Sequence, residues 1–164
     1  MTFSLYLLRH AKSDMARLGT SDFDRPINAS GEKSAKSIGQ WMTDNNKIPQ
    51  QILSSSALRA KQTTVLVLEG FNDTEPEKVS YQEDLYLADL ETLLQCIQEY
   101  KKGINSLMLV AHNPGLEELV YYLSPKSDKF ESMTTANLAI FEYPDSEFDV
   151  YSDKGELVEF IRPS

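Results

Sequence analysis

The chain has 164 residues, 41% hydrophobic and 25% charged, which fits one globular domain spanning residues 1–164 and excludes a membrane span. Its net charge of −9 is unevenly spread: residues 1–61 carry nine Lys/Arg against five Asp/Glu, and residues 62–164 carry seven against twenty. An acidic chain of this kind is a poor nucleic-acid binder, and its locally basic N-terminal part suits a small anion or one anionic group on a partner. The single cysteine, Cys96, forms no internal disulfide, and the N-terminal apolar run is too short for a signal peptide, so the expected location is cytoplasmic.

Leu5-Tyr6-Leu7-Leu8 reads as a short buried strand that stops at Arg9-His10. This ending sets a fixed positive charge and an imidazole on the strand's C-terminal rim, where open α/β sheets bind ligands. Residues 11–29 are rich in turn formers, among them Asp14, Gly19, Ser21, Asp22, Asp24, Pro26 and Asn28, and form a long loop of functional character. Gly31, Ala35, Ile38, Gly39 and Met42 share a helical face, with Ser30 as N-cap and a stop near residues 44–46. Trp41 lies beside that face and reads as packing.

A second short strand is expected at residues 51–54 and a helix at 57–69, capped by Ser55 or Ser56. Arg59 then falls in the first helical turn. A guanidinium there joins the partial positive charge of the helix start and makes an anion site; read alone, it is more simply a surface arginine on a tolerant helix end. Residues 70–78 are a turn-rich connection and 79–82 a short strand. Leu90, Leu93, Leu94, Ile97 and Tyr100 follow helical spacing, so residues 89–101 form an amphipathic helix stopped by Gly103, with Cys96 a buried apolar group. Residues 106–111 are the clearest buried strand and end at His112-Asn113-Pro114-Gly115. Asn113 serves as N-cap and Pro114 as the first residue of a helix whose core face is Leu116, Leu119, Val120 and Leu123. In the tail, residues 135–143, 148–152 and 157–162 read as strands that pair antiparallel at the end of the sheet.

The alternation of strands and helices predicts a three-layer α/β fold, a mostly parallel mixed sheet with helices on both faces. Its strand ends share one rim, and Arg9, His10, Arg59 and His112 all lie on or just past predicted strand ends. Two guanidinium groups and two imidazoles gathered there repel one another unless an anion sits between them, and arginine's planar fork matches phosphate oxygens. A metal site on the two histidines is disfavoured, because the arginines repel a cation and no ligand-spaced acids accompany them.

Four ordered segments carry a family resemblance. Leu8-Arg9-His10-Ala11-Lys12-Ser13 resembles the Arg-His-Gly-type signature of the histidine phosphatase superfamily. Asp24-Arg25-Pro26-Ile27 with Ser30-Gly31 and Ala35 resembles the following segment of its small SixA-type phosphohistidine phosphatases. Ile52-Leu53-Ser54-Ser55-Ser56-Ala57-Leu58-Arg59-Ala60-Lys61-Gln62-Thr63 resembles the second motif, and Val110-Ala111-His112-Asn113-Pro114-Gly115-Leu116 the third. The resemblance implies a phosphoglycerate mutase-like fold without a helical cap domain, because the interval from Arg59 to His112 is taken up by ordinary core elements. It implies that His10 is the nucleophile, that Arg9, Arg59 and His112 complete the phosphate pocket, and that no cofactor or metal is required. Lys12, Ser13 and Asn113 are further phosphate-binding candidates by motif position, although loop solvation for Lys12 and helix capping for Asn113 account for them equally.

A general acid is not assigned. Glu83 and Asp84 are available, but the family position falls nearer Tyr86 or Leu87. A weak or missing acid favours phosphohistidine, whose imidazole leaves more readily than an alkoxide. The expected activity is hydrolysis of phosphohistidine on a protein such as a phosphotransfer domain, with phosphate or sulfate able to occupy the pocket. Two alternatives are a broad small-molecule phosphomonoesterase of the same superfamily and a non-catalytic phosphate-recognition module.

Overall fold

The computed structural model describes residues 2–72, 76–128 and 130–163. Residues 73–75 of the turn-rich connection lie outside that set. Ten principal elements follow in order: β1 (Phe3–Arg9), α1 (Ala29–Asp44), β2 (Gln51–Ser55), α2 (Leu58–Glu69), β3 (Lys78–Gln82), α3 (Leu90–Tyr100), β4 (Ser106–Ala111), α4 (Gly115–Leu123), β5 (Leu138–Tyr143) and β6 (Glu156–Ile161). Short 3-10 turns occupy Asp22–Asp24 and Glu83–Leu85.

The strands form one sheet in the order β3-β2-β4-β1-β5-β6. β3, β2, β4 and β1 run parallel, whereas β5 is antiparallel to β1 and β6 to β5. The sheet is therefore mixed and mostly parallel, as the strand–helix alternation predicts. Successive side chains of a strand point to opposite faces, and this divides the core in two. Leu5, Leu7, Leu53, Leu107, Leu109 and Phe141 pack with α3 and α4, while Tyr6, Leu8, Ile52, Met108, Val110 and Ile140 pack with α1 and α2. Both faces of β1 and β4 are covered, so both strands read as continuous apolar runs. Each leucine or isoleucine buried this completely contributes about 1.5–3 kcal/mol. Among the described residues no helix is long and apolar enough to cross a membrane.

Local chemistry shifts several expected boundaries. The N-cap of α1 is Asn28, not Ser30: the Asn28 side chain accepts the N–H of Gly31 at 2.8 Å. Neither Ser55 nor Ser56 caps α2, whose cap position is Ala57 with no side-chain bond. The expected strand at 148–152 is a turn. Carboxylates of Asp145, Asp149 and Asp153 accept the backbone N–H groups of Glu147, Tyr151 and Asp149, which withdraws them from a sheet ladder. Phe148 still reaches the core and stacks on Tyr143 at 3.6 Å. β5 starts at Leu138 rather than residue 135, because Ala136 has a positive φ of 58° and Asn137 folds back on Thr134.

One close approach ties α1 to the end of β1. A Cβ added to Gly31 would lie 2.3 Å from the backbone oxygen of Lys12. Only a residue without a side chain lets the helix sit this near the segment that follows His10.

Candidate active site

β1 and β4 are neighbours in the sheet, paired in parallel from Ser4↔Ser106 to Arg9↔Ala111. One step further, the same register brings His10 opposite His112. The ladder extends into this step, since the His10 N–H donates to Ala111 O at 3.1 Å. The two rings lie with centroids 5.1 Å apart and planes inclined at 49°. Both are buried, at 6% and 1% exposure.

The His10 ring is fixed through Nδ1, which lies 2.8 Å from the carbonyl oxygen of Ala11. A carbonyl only accepts, so Nδ1 carries the proton and Nε2 keeps its lone pair. Burial, aided by Arg59, Arg9 and Arg25, pushes the imidazole down to about 4. The Ala11 N–H donates to Thr63 Oγ1, whose own proton goes to Arg59 O. α2 thereby holds the turn after β1. His112 is pushed down to about 3 by burial, then by His10 and Arg59. Its Nε2 lies 2.7 Å from Ser55 Oγ.

Arg59 enters the cleft from the first turn of α2 and is 2% exposed. A guanidinium this buried requires a partner. NH1 donates to the backbone oxygen of Asp22 at 2.7 Å and NH2 to its carboxylate at 3.1 Å. That carboxylate also accepts Arg25 Nε at 3.0 Å and the Tyr86 hydroxyl. The hydrogen bond from Tyr86, then those from Arg25 and Arg59, hold it at about 2 against burial. Tyr86 packs edge-on against His112 at 5.5 Å and against Phe23 at 4.9 Å.

Arg9 donates through NH1 to Met133 O at 3.1 Å. Burial lowers its pKa, Glu117 opposes that and Arg59 adds to it. Arg9 Nε, Arg59 Nε and His112 Nδ1 have no hydrogen-bond partner among the described residues. Two guanidiniums and two imidazoles therefore face a shared cleft of about 440 Å³, also lined by Ser13, Asp22, Arg25, Leu87, Asn113 and Thr135. Buried donors without acceptors fit a tetrahedral oxyanion. Among the described residues no set of three or more His, Cys, Asp and Glu side chains is arranged to hold a metal.

The structure thus brings together Arg9, His10, Arg59 and His112, with Ser13 and Asn113 in the same cleft. It does not bring Lys12 there: that side chain is exposed and outside the lining residues. Ser13 Oγ accepts from Arg25 at 2.9 Å. Asn113 is not a helix cap. Its Nδ2 donates to Met133 O at 2.8 Å and Glu117 Oε2 at 3.3 Å, and α4 begins after Pro114. Glu83 and Asp84 lie outside the cleft, Asp84 lining a separate hollow with Thr92 and Cys96. Sequence reading passed over Asp22, Tyr86 and Ser55. Asp22 stood among turn formers and Ser55 in a run of three serines, and nothing local marked either. Tyr86 fell, with Leu87, near the expected acid position, but neither side chain carries a carboxyl.

The histidine phosphatase superfamily (branch 1) family model matches residues 5–102. A chloroplastic protein of Arabidopsis thaliana is 32% identical over 144 residues, covering 84% of this chain, which in turn spans 66% of that protein's length. Among solved structures, SixA of Agrobacterium tumefaciens superposes with a TM-score of 0.84 at 31% identity over 98% of both chains. A protein histidine phosphatase SixA solved with tungstate superposes with a TM-score of 0.82 at 22% identity, over 98% of this chain and 97% of that one.

Proposed function

This chain belongs to branch 1 of the histidine phosphatase superfamily, and from that premise we propose that it hydrolyses phosphohistidine on a protein through a covalent intermediate on His10. The observation that carries the proposal is the fixed His10 ring, with Nδ1–H bound to Ala11 O and the Nε2 lone pair free beside His112 and two arginines. The low pKa keeps that lone pair available at neutral pH.

In the proposed reaction Nε2 of His10 attacks phosphorus in line. The phosphorus–nitrogen bond of the substrate breaks, and the departing imidazole, already protonated on its other nitrogen, takes the bonding pair and leaves as a neutral ring. Arg9, Arg59 and His112 hold the three equatorial oxygens as charge moves among them. Water then attacks the phosphorylated His10, releasing inorganic phosphate and restoring the neutral ring. The relative solved with tungstate, a tetrahedral oxyanion, supports reading the cleft as a phosphate site.

The leaving group supports phosphohistidine over alkyl phosphates. The carboxylate that lines the cleft is Asp22, which at about 2 is ionised and has no proton to give. An alkoxide departs poorly without an acid; an imidazole with an ordinary pKa near ~6.5 departs readily. The open rim also admits a side chain carried on another protein.

The test is a label chase. Protein bearing [32P]phosphohistidine should transfer an acid-labile label to His10 and then release phosphate, and His10→Ala should do neither. Turnover of sugar phosphates equal to that of phosphohistidine would favour the small-molecule phosphomonoesterase instead. Binding without turnover would favour a recognition module.

A further inference from the structure

We propose that Ser55 is a positioning residue that fixes the proton of the His112 ring on Nδ1, so that the ring meets a phosphoryl oxygen as a donor. The consequence for catalysis rests on the phosphatase reading above; the assignment of the proton does not.

Ser55 is the last residue of β2 and its side chain is fully buried. Its oxygen accepts the backbone N–H of Ala57 at 3.2 Å and lies 2.7 Å from His112 Nε2. A serine hydroxyl has one proton to give. With Nε2 as acceptor, that proton has a partner, the Ala57 N–H has a partner, and the imidazole proton sits on Nδ1. With the proton on Nε2 instead, the serine oxygen would receive two donors. Its own proton would then be left with no acceptor among the described residues, on a side chain with no solvent exposure.

The remaining ring atom agrees with this assignment. His112 Nδ1 is buried, has no partner among the described residues and belongs to a ring that lines the cleft. As a bare lone pair beside an incoming dianion it would repel; as an N–H it adds a donor where the phosphoryl oxygens must sit. Both rings then carry their proton on Nδ1 yet present opposite ends. His10, held at Nδ1, offers a lone pair, and His112, held at Nε2, offers a proton.

Only two histidines occur in the chain, so long-range 1H–15N imidazole spectra of this chain decide the matter, with His10→Ala giving the assignment. The expected wild-type result is an Nδ1–H ring for His112. Ser55→Ala should shift His112 toward the Nε2–H form that free imidazoles prefer, while the His10 signals stay in place and report an intact fold. Ser55→Thr, which keeps the hydroxyl, should keep the Nδ1–H form. With phosphohistidine as substrate, Ser55→Ala should lower kcat/KM about tenfold or more and Ser55→Thr should recover most of the loss. An Nε2–H ring in the wild type overturns the proposal, as does an unchanged His112 tautomer in folded Ser55→Ala. If Ser55→Ala does not fold, the wild-type and Ser55→Thr spectra still decide. A chain with the expected tautomers but no phosphohistidine turnover would sink the phosphatase reading and leave this assignment standing.

Discussion

Asp22 grips Arg59 twice, through its backbone carbonyl at 2.7 Å and its carboxylate at 3.1 Å. The second contact places a negative charge in a cleft whose other charged lining groups are the guanidiniums of Arg9, Arg25 and Arg59. A phosphate entering the cleft must share the guanidinium with that carboxylate. Asp22→Asn keeps the backbone contact and removes the competing charge. The carboxylate is 44% exposed, so its screened effect is modest, up to about 1 kcal/mol. Inorganic phosphate should therefore inhibit the variant up to about fivefold more tightly, as measured by competition against phosphohistidine turnover. Weaker inhibition would mean that Asp22 assists the anion rather than opposing it.

Arg59 offers a planar fork at a position with almost no solvent access. A lysine there supplies a point charge and cannot hold both the Asp22 carbonyl and a phosphoryl oxygen in one plane. Arg59→Lys should lower kcat/KM by about 10²–10³, the usual cost of losing one donor to a developing charge. Steady-state kinetics on a folded variant measure this, and activity within about threefold of wild type would remove Arg59 from the phosphate pocket.

The two imidazoles set the acid side of the pH response. Their folded-state values of about 4 for His10 and about 3 for His112 lie below the ~6.5 of an unfolded histidine. The unfolded chain therefore binds protons first, and stability falls as pH drops from about 6.5 toward 4 for His10 and toward 3 for His112. Asp22, held at about 2, extends the loss below about pH 4, where an ordinary aspartate begins to protonate. Urea midpoints across this range should decline steadily, and the ring C–H resonances of both histidines should stay constant from neutrality down to about pH 5. Either ring titrating near ~6.5 would show that it is not buried as described.

Gly31 links a helix to the nucleophile's loop. An alanine Cβ would meet the Lys12 carbonyl at 2.3 Å, and neither backbone moves cheaply. Gly31→Ala should cost about 1–3 kcal/mol in urea unfolding and should lower turnover as well, because the displaced Lys12 is two residues from His10. Loss of stability with turnover untouched would show that the strain is absorbed by α1 alone.

The parts of the site that the sequence made legible are those fixed by strand ends. Apolar runs closed by Arg9-His10 and by His112 announce both the rim and the groups on it, because burial on both faces leaves no other reason for polar residues there. Asp22 and Tyr86 gave no such sign. Their contacts reach across 37 positions to Arg59 and 64 positions to one another, through a loop with no periodicity to read. Ser55 read as a helix cap because a serine before a helix is usually one; its partner, His112, is 57 positions away. Asn113 misled in the same way, since its amide is taken by Met133 and Glu117. Residues 148–152 form a turn because the carboxylates of Asp145, Asp149 and Asp153 capture backbone N–H groups that a strand would need.

The pairing of Arg9 with Ala111 makes the gap between the imidazoles a quantity measured in rungs of a backbone ladder. Lengthening a connection that carries none of the cleft's residues leaves that gap untouched, so insertions can be grafted there without misaligning the chemistry. Deleting a single residue inside β1 or β4 would instead turn one ring to the far side of the sheet. The architecture is forgiving along the periphery and unforgiving at its centre, which gives such a scaffold freedom to change what it accepts while preserving how it reacts.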